Sequence, residues 1–141
     1  MTHFWTMMVL ALIAGAQGAK PAGETKLTLG GVWVLQFRVA AGGYTPEQRL
    51  STLQDRVVQV LSRPELRPRD VRAVPGPSGK SAMIYVGSLL LVTVTQADAD
   101  ASRSTPVKLA TTWAENFRRG FAAARPRPIP PQLRPPAESP G

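Results

Sequence analysis

Seven prolines fall between residues 126 and 141. A segment missing so many backbone donors completes neither a helix nor a β-ladder, so a packed fold must be built from what precedes it. The tail is expected to be extended polyproline II or disordered, serving as a spacer, while Pro128 and Pro131 give it a PxxP spacing suited to aromatic-lined grooves. At the other end, Phe4 to Ala16 is an apolar run of about thirteen residues followed by small residues, which reads as a secretory signal peptide over 1–19 and is too short to span a bilayer. No Lys or Arg precedes the run, so an uncleaved N-terminal anchor is the alternative. Residues 20–25 form a polar leader. What remains, 26–125, is a single domain of about 100 residues. It has no cysteine, hence no disulfide, and must be held by packing alone.

Within that span the residue periods alternate between two and 3.6. Leu27 and Leu29 alternate with polar residues, Gly30-Gly31 suits a two-residue turn, and Val32 to Ala40 is β-prone, which predicts a hairpin. Alternation on its second strand puts Trp33, Leu35, Phe37 and Val39 toward the core and Val34, Gln36 and Arg38 outward. Thr45-Pro46-Glu47-Gln48 combines an N-cap hydroxyl, a proline at the first helical position and Gln three residues on. It opens a helix whose Leu50, Leu53, Val57, Val60 and Leu61 share one face, with Arg49, Asp55, Arg56 and Gln59 mostly outside, ending before Pro64. A short strand over 70–74 and a hairpin of Lys80–Val86 and Leu89–Thr95 about Gly87-Ser88 follow. Apolar residues on both faces of Leu89–Val92 suit a central strand. After a short acidic turn, Thr105-Pro106 opens a last helix reaching about Ala124. Leu109, Trp113, Phe117 and Phe121 form its i, i+4 row, and Ala110, Ala114 and Gly120 permit close approach to a sheet. The fold class is α+β: a two-layer sandwich of about five mostly antiparallel strands with two helices on one face, in the order β-β-α-β-β-β-α.

The chemistry available to such a domain is narrow. The single His is His3 and cysteine is absent, which removes Ser/His and Cys/His nucleophiles and the usual zinc sites from 26–125. Asp98 and Asp100 offer a carboxylate pair for hydrolysis or calcium, but two acids at that spacing in an alanine-rich turn fit a helix N-terminal cap better. No catalytic residue, metal ligand or cofactor site is assigned, and no enzyme is expected. The charge is distinctive instead: 17 Lys+Arg against 9 Asp+Glu. Arg63, Arg67, Arg69 and Arg72 cluster after the first helix. Arg118, Arg119, Arg125 and Arg127 cluster toward the end of the last, where they would complement its negative terminus. Together they form a candidate anion-binding surface for lipid headgroups or anionic envelope polymers. Their other reading is solubility alone. Nucleic acid is not expected as a partner, since export argues against it and no recognition motif is present.

Tyr44-Thr-Pro-Glu-Gln-Arg49, Leu91-Val-Thr-Val-Thr-Gln-Ala-Asp-Ala99, Leu109-Ala and Thr112-Trp-Ala-Glu115, in that order over roughly 26–124, resemble the extracytoplasmic N-terminal domain found in some bacterial small-conductance mechanosensitive ion channel proteins, cyanobacterial ones among them. The resemblance implies an envelope-facing accessory domain without chemistry of its own, so it supplies no site residues. Outside the signal segment no stretch is apolar enough to span a bilayer, so conduction is not expected here. The expectation is therefore an exported, non-enzymatic binding or structural domain of the cell envelope, periplasmic or secreted. Its partner would be an envelope protein or, in the alternative, an anionic envelope polymer bound through the arginine clusters.

Overall fold

The computed structural model describes residues 23–125. The signal segment, residues 20–22 of the polar leader and the proline-rich tail lie outside them. The elements are β1 (Lys26–Leu29), β2 (Val32–Gln36), α1 (Pro46–Leu61), a 3-10 turn (Pro68–Asp70), β3 (Val71–Pro75), β4 (Ser81–Val86), β5 (Leu89–Thr95), α2 (Gln96–Ala101) and α3 (Pro106–Ala124). This is the expected α+β class with five strands, all paired antiparallel. They divide into two sheets, however, β1-β2 and β3-β4-β5. The acidic turn after β5 is itself a short helix.

Each helix begins where its cap residues demand. Thr45 Oγ1 accepts from the Gln48 N–H at 3.2 Å while Gln48 Oε1 accepts from the Thr45 N–H at 2.9 Å, the reciprocal box that satisfies two orphan donors at the start of α1. The same box recurs at α2, between Thr95 and Asp98. In α3 the Thr105 hydroxyl accepts from the Lys108 N–H.

Helix α3 is the spine of the molecule. It packs against strands of both sheets, whereas α1 covers β5 and the end of β1. The predicted row Leu109, Trp113, Phe117 and Phe121 is buried throughout. Phe37 meets Trp113 edge to face at 5.9 Å between ring centroids, a favoured aromatic geometry. Gly120 allows the close approach expected of it: a Cβ there would lie 2.9 Å from the Leu29 carbonyl oxygen. The reverse face of the contact is equally tight, because Gly30, at φ +57°, would place a Cβ 2.7 Å from the Ala124 nitrogen. Hairpin tip and helix therefore touch backbone to backbone.

Two expectations about strands need correction. The pairing of β1 with β2 slips between Leu27↔Leu35 and Thr28↔Trp33, leaving Val34 without a partner. That bulge resets the alternation, so Val34 turns inward and is fully buried while Trp33 turns outward and is 47 % exposed. Leu35 and Phe37 keep their predicted core positions. The carbonyl of Val34 accepts from Asn116 Nδ2 of α3 at 3.1 Å, so the irregularity is tied to the spine. The second correction concerns β5, which is an edge strand by hydrogen bonding. Its apolar residues on both faces are explained by α1 lying against it. Arg49 and Arg56 of that helix donate to its Thr93 and Leu91 carbonyls, which blunts the edge against pairing with another chain.

Candidate functional site

The two arginine clusters, about fifty residues apart in sequence, meet in space. The loop that leaves α1, residues 62–70, runs into β3 alongside the C-terminal half of α3. Arg118 reaches from α3 and donates to the Val71 carbonyl at 2.6 Å. Arg125, just past the end of α3, donates to the carbonyls of Pro64 at 3.2 Å and Arg63 at 3.1 Å, with its guanidinium 4.9 Å from the Phe121 ring centroid. A planar guanidinium has enough donors to clamp two carbonyls and still stack on an aromatic face. These contacts set the 62–70 loop, which carries Arg63, Arg67 and Arg69, against the end of α3 that carries Arg118 and Arg125, whereas Arg72 lies on the other face of its strand from buried Val71.

Their roles divide. Arg118 and Arg125 are half-buried and committed to backbone carbonyls, so they shape the surface more than they decorate it. Arg72 is exposed, donates to the Gly87 carbonyl at 3.2 Å and stands 5.0 Å from the Tyr85 ring centroid. Arg119 donates to Asn116 Oδ1, one turn back on its own helix. Arg63, Arg67 and Arg69 are exposed, and their side chains make no hydrogen bond to the described residues. Two acids lie among them in sequence: Glu65, exposed between Arg63 and Arg67, and Asp70, which spends a carboxylate oxygen on the Arg67 backbone N–H at 2.8 Å. Among the described residues no carboxylate approaches any of these arginines within 4.0 Å. Of the four arginines expected to match the helix dipole, Arg118 and Arg119 precede the last turn, Arg125 is the C-cap residue and points its donors at the loop, and Arg127 lies outside the described residues. The dipole effect is confined to the terminal turn.

The ion pair that does form had no counterpart in the sequence reading, which placed Arg49 outside. Arg49 and Asp98 meet in a bidentate pair, Nη1 to Oδ1 at 2.7 Å and Nη2 to Oδ2 at 2.8 Å. Their side chains are only 8 % and 2 % exposed. Arg49 also donates to the Val39 carbonyl at 2.9 Å and lies 4.2 Å over the Phe37 ring. Asp98 Oδ2 accepts in addition from the backbone N–H and hydroxyl of Thr95. The capping reading of Asp98 is therefore what the structure shows. Asp100 is exposed and accepts from Gln96 Nε2 at 2.9 Å. The two acids do not form a metal site, and no group of three or more His, Cys, Asp or Glu suited to a metal occurs among the described residues.

Arg49 closes the first segment that carried the channel-domain resemblance, and Asp98 lies near the end of the second. Residues 26–124 match the family described as Domain of unknown function (DUF8459). The chain belongs to this family. No curated protein and no solved structure matches it. The match spans β1 through α3, so the buried pair, the spine and every arginine of the face but Arg125 fall inside the DUF8459 domain. Among the described residues no helix is long and apolar enough to cross a membrane.

Proposed function

We propose that this DUF8459 domain is an exported, non-catalytic binding module of the cell envelope, and that it holds anionic polymers or lipid headgroups on its arginine face. One observation carries the reading: Arg118 and Arg125 clamp the carbonyls of Val71, Pro64 and Arg63, which sets the cation-bearing 62–70 loop against the end of α3, with none of these arginines in an ion pair among the described residues. Fixing the backbone beneath mobile cationic side chains is what a surface for an extended polyanion requires, since the ligand then meets charge already assembled. The signal segment read over residues 1–19 supports the address.

The test is co-sedimentation of the full chain with phosphatidylglycerol-containing vesicles and with neutral phosphatidylcholine vesicles, at low and high salt. Binding is expected to the anionic vesicles alone and to weaken steeply with salt. Replacing Arg63, Arg67 and Arg69 together with serine should lower affinity by about 3 kcal/mol, roughly a hundredfold, at about 1 kcal/mol for each cation near an anionic surface. Stability should hardly change, since those side chains bond to nothing in the fold. Equal binding to neutral vesicles would refute the reading. A membrane protein retained from envelope extract at high salt would favour the channel-associated accessory role instead.

A further inference from the structure

A concavity lies at the other end of α1 from the arginine face. The segment Phe37–Tyr44, the first half of α1 and the outer edge of β5 enclose a cleft of about 270 Å3. Phe37, Leu53, Leu91 and Val92 give it an apolar floor. Tyr44 stands at the cleft, 56 % exposed, presented by a tight turn in which Ala41 and Tyr44 exchange backbone hydrogen bonds across Gly42-Gly43. A large aromatic ring so placed does little for the core, and it offers a face to whatever enters.

Two cations line the cleft and no acid does. Arg49 is neutralised by Asp98. Arg56 is not: its half-buried guanidinium donates once, from Nη1 to the Leu91 carbonyl at 3.1 Å, and no carboxylate among the described residues lies within 4.0 Å of it. That one bond anchors the group at the β5 edge while leaving Nε and Nη2 without a partner among the described residues. Thr52 and Thr93 line the same space.

We infer that this cleft is a binding site for a small amphipathic monoanion, an aromatic or short aliphatic carboxylate. The carboxylate would pair with Arg56 and the apolar body would lie between Tyr44 and the Phe37–Leu53–Leu91 floor. Charge complementarity selects a single negative group, because only one of the two guanidinium groups is uncompensated. A pocket that is mostly apolar with a few convergent polar groups is the usual form of a small-molecule site.

The probe is 3-phenylpropionate, titrated into the full chain and followed by calorimetry and by amide chemical shifts, with 3-phenylpropanamide as its neutral counterpart. Saturable binding of the acid is expected, with shifts centred on residues 41–56 and 91–95, and binding at least tenfold weaker for the amide. Arg56→Gln removes the charge and should weaken the acid by about tenfold or more while changing the affinity for the amide far less. Tyr44→Ala should weaken both. The comparison of acid with amide on the unaltered chain stands even if a variant fails to fold. Absence of saturable binding, equal affinity for acid and amide, or shifts centred on the arginine face would each overturn the inference.

Discussion

A guanidinium and a carboxylate that are both nearly out of water are stable only if their buried polar atoms find partners, and no buried side-chain nitrogen or oxygen among the described residues lacks a hydrogen bond. Two carboxylate contacts, the Val39 carbonyl and the Phe37 ring surround the arginine, and Thr95 completes the aspartate. Such a pair adds little net stability over an apolar isostere, yet leaving one member alone is costly. Arg49→Ala or Asp98→Ala should therefore each lower unfolding free energy by about 3–5 kcal/mol. The double replacement should fall well short of the sum, as urea denaturation would show. Arg49 follows the cap predicted at Thr45–Gln48, and the sequence places Asp98, with Asp100, in a helix N-terminal cap in an acidic turn, without Thr95 as its partner. The capping chemistry of each was legible because it is local. Their pairing was not, because it joins positions forty-nine apart and helical periodicity could place Arg49 only on the flank of the apolar stripe.

At the level of elements, period and propensity located all five strands and both long helices, and they failed where a contact from elsewhere overrode them. The bulge at Val34 is the clearest case. A strict period of two predicts Trp33 inside, and only the slipped register with β1, together with the Asn116 bond to the freed carbonyl, turns it out. Edge status was hidden for a related reason, since a strand covered by a helix has the same apolar pattern as one flanked by strands. Gly120 shows propensity and packing opposed. Ala is favoured over Gly inside a helix by about 1 kcal/mol, but its Cβ would press on the Leu29 backbone 2.9 Å away, where overpacking costs about 1–3 kcal/mol. Because the obstacle is backbone and cannot swing aside, Gly120→Ala should lower the melting temperature. An increase would mean that the β1–β2 turn yields at little cost.

For the molecule as a whole, the decisive fact is that its two sheets share no hydrogen-bonded strands and are joined through helices, α3 packing on strands of both and α1 on β5 and β1. Asn116 holds the Val34 carbonyl of β2 and Arg118, two residues on, holds the Val71 carbonyl of β3. The side chains of α3 thus take the place that a further strand would occupy in a continuous sheet. The same helix supplies Arg118 and leads into Arg125, so the arginine face depends on the spine. Composition made the cations visible in the sequence, but not which of them would be spent as clamps on carbonyls, since that is decided by the path of the 62–70 loop. If α3 couples the sheets, then weakening it should loosen both by the same amount. Phe117 is completely buried, and Phe117→Ala should cost about 3–5 kcal/mol through lost burial and the cavity left behind. Hydrogen exchange measured at the slowest amides of β1–β2 and of β3–β5 should then accelerate equally, because both open only in the global unfolding of the domain. Acceleration confined to one sheet would show that the other folds around contacts of its own, and the arginine face, which hangs on the β3 side, would then survive damage to the β1–β2 hairpin.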